Sequence, residues 1–436
     1  MPRCAPTRGI RSGEPPKGSA ERRGGAPLSP TLAPVAAGPL VDRSLFGVYL
    51  HVPFCQTRCH YCDFVTYTGM EALRRPYAAA LAAEAELAVA ALGVAERPTV
   101  TSVFVGGGTP TLLPPADLAA VLERLRGLLR HASRVEVTVE ANPETVDRAL
   151  ADGLVAAGVT RVSLGAQSFD DPVLAALGRR HDAERVRLAV ATLRAAASAA
   201  GRRLDLNLDL IFGCPGEDAG SWERSLEAAV AIGPEHLSAY ALTIEGATRF
   251  GRLVAAGRMA EPDEDVLADR YERACAVLAT AGYGHYEVSN WARGRRGPDG
   301  FPAHASLHNR TYWRRGPYLG LGAGAHEFVP GPDGFGPRRW NLHGVPDYLA
   351  AVRAGRRPTL DQEALDGAQA RFEALALRLR TVDGLDAEEA AALGVDAAGA
   401  AATELRSAGL LAPGPRLRLT ERGMLMHGEV TSRLAP

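Results

Sequence analysis

From Leu45 onward the chain repeats one pattern. A short run rich in β-branched and aliphatic residues is followed by a longer Ala/Leu-rich stretch with a helical stripe. The short runs are residues 47–52, 101–105, 135–140, 161–164, 204–211 and 236–242. Between the second and third runs, Leu118, Val121, Leu122, Leu125, Leu128 and Leu129 recur at the i, i+3, i+4, i+7 spacing of an amphipathic helix. Alternation of strand and helix predicts a parallel sheet with helices outside it. Six such units predict an α/β fold built on a partial (β/α)6, TIM-like barrel, whose chemistry gathers at the C-terminal ends of the strands.

The pattern changes at both ends. Residues 1–42 are rich in Pro, Gly, Arg and Ala without helical or strand period, and read as a disordered, dispensable tail; a transit peptide is the rival reading. The barrel is expected over 43–285 and an α/β extension over 286–360. From about Asp361 to Pro436 the texture is helical around a small Pro-Gly hairpin at 410–420, which predicts a mainly helical, winged-helix-like domain.

Composition narrows the function. The charged fraction is 23% and the formal net charge −1, so nothing draws the whole chain to nucleic acid or anionic membranes. The C-terminal segment 361–436 has eight Arg against twelve Asp and Glu, so its winged-helix-like shape does not predict DNA binding. No apolar run reaches the roughly 18 residues of a membrane span. Cys4, Cys214 and Cys275 are scattered and no secretion signal is recognisable, which predicts free thiols and a cytoplasmic location. Lys17 is the sole lysine among many arginines, a bias of composition and not of chemistry.

The remaining three cysteines are not scattered. Cys55, Cys59 and Cys62 follow the first run directly, at the spacing C-x-x-x-C-x-x-C. Three thiolates this close require a cation, and soft sulfur selects zinc, copper(I) or an iron–sulfur cluster. Zinc would need a fourth ligand, from His51, His60 or a distant group. A [4Fe–4S] cluster held by three cysteines leaves one iron open to substrate. Phe54, Tyr61 and Phe64 are expected to keep the loop dry. Each later run also ends in a polar or glycine-rich signature: Gly106-Gly-Gly-Thr-Pro110, Glu140-Ala-Asn-Pro143, Gly165-Ala-Gln-Ser168, and Asn207-Leu-Asp209. The glycines permit close backbone approach to a ligand, and the Lys-Ser/Thr of a phosphate loop is missing. Recurrence at successive strand ends predicts one shared site.

These residues resemble the radical S-adenosylmethionine (SAM) proteins, and among them the oxygen-independent coproporphyrinogen III oxidase-like group, over about residues 45–434. The resemblance implies that Cys55, Cys59 and Cys62 hold a [4Fe–4S] cluster whose open iron SAM chelates. It places Tyr49 and Tyr61 beside SAM and Gly107, Gly108 and Thr109 at its amino-acid end. Glu140, Gln167, Arg179 and Asp209 would contact its polar groups, Asp209 at the ribose hydroxyls; Thr243 is carried over on a less similar stretch. Electron transfer into the sulfonium would then break a C–S bond, chemistry that belongs to the cofactor. The oxidase pattern has a fourth cysteine where this chain has Phe64. His308-Asn-Arg-Thr-Tyr-Trp313 instead resembles the haem-binding motif of the HemW-type haem chaperones. That branch implies haem at His308, with Tyr312 and Trp313 stacked on the ring and Arg310, Arg314 or Arg315 on its propionates; His304 and His326 are rival ligands. It further implies delivery to a membrane-associated acceptor protein and a one-electron donor of flavodoxin or ferredoxin type, with no nucleic-acid partner. A porphyrin-modifying radical enzyme, or a methyltransferase of the same superfamily, stays open as the alternative.

Overall fold

The computed structural model describes residues 41–92, 98–331 and 334–436. The tail expected at 1–42 lies almost wholly outside the described residues. Six parallel strands run in chain order through one sheet: β1 Gly47–Val52, β2 Thr99–Gly107, β3 Arg130–Ala141, β4 Arg161–Gln167, β5 Asp205–Phe212 and β6 His236–Ala241. Every predicted run is a strand. The helices Arg74–Ala91, Pro115–Leu128, Arg148–Ala156, Ala183–Ala199 and Ala219–Ile232 connect them. Asp147, Asp182 and Asp218 cap the last three of these helices by accepting from backbone N–H groups in the first turn.

The sheet does not close. Beyond β6 come β8 (Asn290–Ala292) and β7 (Gly284–Glu287), both antiparallel to their neighbours. On the far side of β1 lie β9 (Tyr318–Leu321), then β10 (His326–Phe328), β11 (Pro337–Asn341) and β12 (Thr359–Ala364). β9 runs parallel to β1, and the rest alternate. The strand at Thr359–Ala364 is a departure from the sequence reading, which took the texture to turn helical from about Asp361; all six of its residues are exposed, so it carries no buried alternation to betray it.

Each strand has two different faces. Val48, Leu50, Val103, Val105, Val137, Val139, Val162, Leu164, Leu206, Leu208 and Leu237 are buried against the outer helices. The residues between them point inward and are mostly polar: Tyr49 and His51, Thr138 and Glu140, Arg161 and Ser163, Asn207 and Asp209, His236 and Ser238. A barrel whose inner positions are polar is not filled by its own side chains, in contrast to the packed interior of an ordinary (β/α)8 barrel.

Two further pieces bound the interior. The helix Leu307–Trp313 lies at the end where the parallel strands begin, and Glu136 of β3 secures it. Glu136 accepts from the backbone N–H of Leu307 at 3.1 Å and of His308 at 3.0 Å, and from Ser306 Oγ at 3.3 Å. A carboxylate there also faces the positive end of the helix. The helices Gly367–Leu379, Ala387–Ala392, Ala400–Ser407, Glu421–Leu425 and His427–Leu434 follow, with antiparallel bridges Leu385–Leu417 and Leu411–Leu419 forming the small hairpin. No helix among the described residues is long and apolar enough to cross a membrane.

Candidate functional site

The three cysteines sit on the loop after β1. Its backbone is tied down on both sides: Cys55 N–H donates to Tyr67 O, Thr109 N–H donates to Phe54 O, and His60 N–H donates to Leu177 O. Gly108 passes so close that an added Cβ would lie 2.6 Å from Phe54 O and 2.9 Å from Cys55 Sγ. Gly107 has φ +116°, a conformation open to glycine, and its N–H donates to Glu140 Oε2 at 3.0 Å. Thr109 Oγ1 lies 3.7 Å from Cys55 Sγ, and Arg179 Nη1 lies 3.3 Å from Cys59 Sγ. All three thiols are partly exposed to one cavity. Burial raises the Cys55 thiol, and raises Cys62 to about 11, so a bound cation must supply the charge that draws the protons off.

Neither imidazole proposed as a fourth zinc ligand is free. His51 Nε2 donates to Val65 O at 2.9 Å, which fixes its tautomer, and Nδ1 accepts from Tyr49 Oη at 3.0 Å. His60 has Ala176 O 2.9 Å from Nδ1 and Arg249 Nη1 2.6 Å from Nε2. Three thiols whose two neighbouring imidazoles are already engaged fit a cluster with one open corner better than a closed tetrahedral ion. Of the flanking aromatics, Phe54 is buried, but Phe64 is 36% exposed. Phe64 therefore does not dry the loop; it stands at the mouth of the cavity.

That cavity has a volume of about 1340 Å3. It is lined by Tyr49, Tyr61, Gly107, Gly108, Glu140, Gln167, Arg179, Asp209, Thr243 and His308, together with the three cysteines. Thr109 lies just beside it, through its contact with Cys55. The sequence thus placed its candidates around one space. Glu140 and Asp209 both line it, half-buried. Burial and the nearby Asp209 push Glu140 up to about 7, and burial raises Asp209 as well. Ser163 Oγ and Asn207 Nδ2 each donate to Asp209 at 2.8 Å. Gln167 is held at φ +63°, a strained setting for a residue with a side chain.

Of the other lining residues, Thr138 belongs to no sequence signature, and Asn142 stands in Glu140-Ala-Asn-Pro143 with no role read for it. Asn142 Nδ2 donates to Thr109 Oγ1 at 2.9 Å and its Oδ1 accepts from Arg179 Nη2 at 2.6 Å, linking three strand ends. Thr138 Oγ1 and Arg179 Nε are buried on the cavity wall with no hydrogen-bond partner in the protein. A polar ligand is the natural partner for such groups. Strict alternation of polar with apolar residues in Asn207-Leu-Asp209 and Thr138-Val-Glu140 was the available signal. The donor set, the glycine cradle and these orphaned groups fit a cluster with SAM beside it.

His308 is at the other end of the cavity. It is 1% exposed, with Ser102 Oγ 2.9 Å from Nδ1 and Tyr312 Oη 2.9 Å from Nε2. Burial lowers it to about 3, so it is neutral. Trp313 is buried under Arg380, and Arg310, Arg314 and Arg315 pair with Asp299, Asp383 and Glu373. In this conformation the motif is packed and both ring nitrogens of His308 are engaged, while Trp313 Nε1 is buried without a hydrogen-bond partner. His304 is bound to Asp205 at 2.6 Å and to Arg203 at 2.7 Å.

Comparison with known proteins decides the family. The radical SAM superfamily model matches residues 49–229, and the HemN C-terminal domain model matches residues 365–426. Over 411 residues the chain is 41% identical to the heme chaperone HemW of Mycobacterium tuberculosis, covering 93% of this chain and 97% of that one. The chain belongs to the HemW family of radical SAM proteins. HemW of Escherichia coli is 37% identical over 66% of this chain and 71% of its own. The coproporphyrinogen III oxidase HemN of Escherichia coli superposes with a TM-score of 0.72 over 90% of each chain, at 20% identity, which shows a shared fold. Membership of the HemW family brings the resemblance seen in the cysteine loop and in His308–Trp313 together in one chain.

Proposed function

We propose that this protein is a haem chaperone: it binds haem and passes it to an acceptor protein, while carrying a [4Fe–4S] cluster and exchangeable SAM. The observation that carries the reading is the size and two-ended character of the cavity. Its 1340 Å3 exceeds the roughly 300–1,000 Å3 of an ordinary small-molecule pocket. SAM at the cysteine end leaves space for a second, larger ligand. The mouth offers that ligand an apolar surface: Phe64, Phe372, Leu425 and Met426 line it and are exposed by 36–39%.

In this reading Cys55, Cys59 and Cys62 hold the cluster, which when bound supplies electron transfer to SAM. Glu140 and Asp209 face the cationic ligand, Asp209 toward its ribose hydroxyls, with Gly107, Gly108 and Thr109 around its amino-acid end. Tyr49, Tyr61, Gln167, Arg179 and Thr243 complete the wall. Haem ligation by His308 requires Nε2 to exchange the Tyr312 hydroxyl for iron. The acceptor is proposed to be membrane-associated, and the electron donor a flavodoxin- or ferredoxin-type protein.

The test is anaerobic. Reconstituted protein is titrated with haem, and separately incubated with SAM, a reductant and coproporphyrinogen III. Haem binding without protoporphyrinogen formation is expected. Turnover of coproporphyrinogen would overturn the chaperone reading in favour of a porphyrin-modifying enzyme. His308→Ala is expected to weaken haem binding, and unchanged affinity would remove His308 as ligand.

A further inference from the structure

Cys275 plays no part in the site described above. It lies on the helix Glu264–Thr280 and is 3% exposed. The helix Glu421–Leu425 packs on that helix, and β7 runs alongside. Three donors converge where these elements meet. Cys275 Sγ, an imidazole nitrogen of His285 and a carboxylate oxygen of Glu421 all lie within 4.8 Å of one another. Among the described residues, this is the group of donors close enough to share one ion, and it does not include the cluster cysteines.

The surroundings favour a metal over a plain hydrogen-bonded cluster. The His285 ring is stacked on Trp291, with centroids 4.4 Å apart and planes 7° from parallel, so its plane is fixed before any ion arrives. Its Nε2 has Tyr271 Oη at 3.5 Å and Val288 O at 3.4 Å, both at the long end of hydrogen bonding. A thiolate and a carboxylate would balance the charge of a divalent ion.

We propose that Cys275, His285 and Glu421 form a second metal site for a zinc-class divalent cation. Sulfur, nitrogen and a single carboxylate select zinc over magnesium or calcium, and three protein ligands leave the fourth position to water. On binding, the Cys275 thiol gives its proton to solvent and a sulfur–metal bond forms, with no change of oxidation state. Glu421 begins the stretch whose Met424, Leu425, Met426 and His427 line the large cavity. The ion would therefore fasten the C-terminal helices to a helix of the barrel, and with them one wall of the haem-sized space.

The test uses the full chain bearing Cys55→Ala, Cys59→Ala and Cys62→Ala, so that the cluster loop supplies no thiolate. Cobalt(II) is added as the spectroscopic probe and zinc as the competitor. One equivalent of cobalt with a thiolate charge-transfer band, displaced by zinc, is expected. Cys275→Ser should abolish the band. Glu421→Gln, an exposed change that leaves the fold intact by circular dichroism, should weaken binding about tenfold or more. Absence of the band, its survival in Cys275→Ser, or unchanged affinity in folded Glu421→Gln overturns the site. None of these outcomes depends on haem or on SAM.

Discussion

Glu140 shows how a single side chain can report on its ligand. Its carboxyl is raised to about 7, chiefly by burial and then by Asp209. Between the ordinary carboxylate range and pH 7 the folded chain keeps a proton that the unfolded chain has lost. Glu140 therefore contributes stability at low pH that is lost as the pH rises through about 7. A cationic ligand reverses the preference, because it favours the ionised carboxylate. SAM affinity is expected to increase from pH 6 to pH 8, and the rise should flatten in Glu140→Gln; calorimetric titration at several pH values checks both. A profile identical in the two proteins would show that another group controls binding. Glu140 was legible beforehand because it ended a predicted strand within a recognisable run. Thr138, two residues earlier on the same face, was not. A threonine in a β-rich run looks like ordinary strand composition, and its alternation with Val137 and Val139 is the one signal that it faces inward.

At the scale of elements, backbone proximity matters more than side-chain chemistry. Gly108 has no room for a methyl group between Phe54 O and Cys55 Sγ. Gly108→Ala is expected to displace the cysteine loop and lower iron and sulfide content several-fold after reconstitution, with little change in far-ultraviolet circular dichroism. Full iron loading would mean the loop adjusts freely. The helix Leu307–Trp313 depends on Glu136 in a comparable way. Glu136 caps its first turn and also pairs with the buried Arg161 at 3.2 Å. Glu136→Ala should reduce stability by about 3 kcal/mol, since it strips the cap and leaves a buried guanidinium poorly balanced. Urea denaturation measures this, and a change within about 0.5 kcal/mol would contradict it. The strands and their order were readable from the alternation of runs and helices. The cap was not, because Glu136 and the helix it secures are far apart in sequence. For the same reason the engagement of His308 with Ser102 could not be foreseen from the motif alone.

Across the whole molecule, the C-terminal helices supply part of the cavity wall. Phe372 and Met426 come from two different helices, or their junctions, yet border the same opening as Phe64 beside the cysteines. Replacing both with serine is expected to weaken haem binding about tenfold while leaving SAM affinity unchanged. Parallel loss of both affinities would instead point to a general disturbance of the fold. This division of labour was only half visible in the sequence. A helical, acidic module argued against DNA, but nothing in its pattern indicated which of its residues would meet the barrel. The unclosed sheet has a corollary of its own. A full ring of strands would admit cargo only through its ends, so a rigid disc would have to tumble in and back out. On the chaperone reading proposed above, a ring with a missing stave would allow edgewise loading, and a recipient would take hold of the disc's exposed rim before the donor had let go, so that the pigment need never drift through water on its way from one protein to the other.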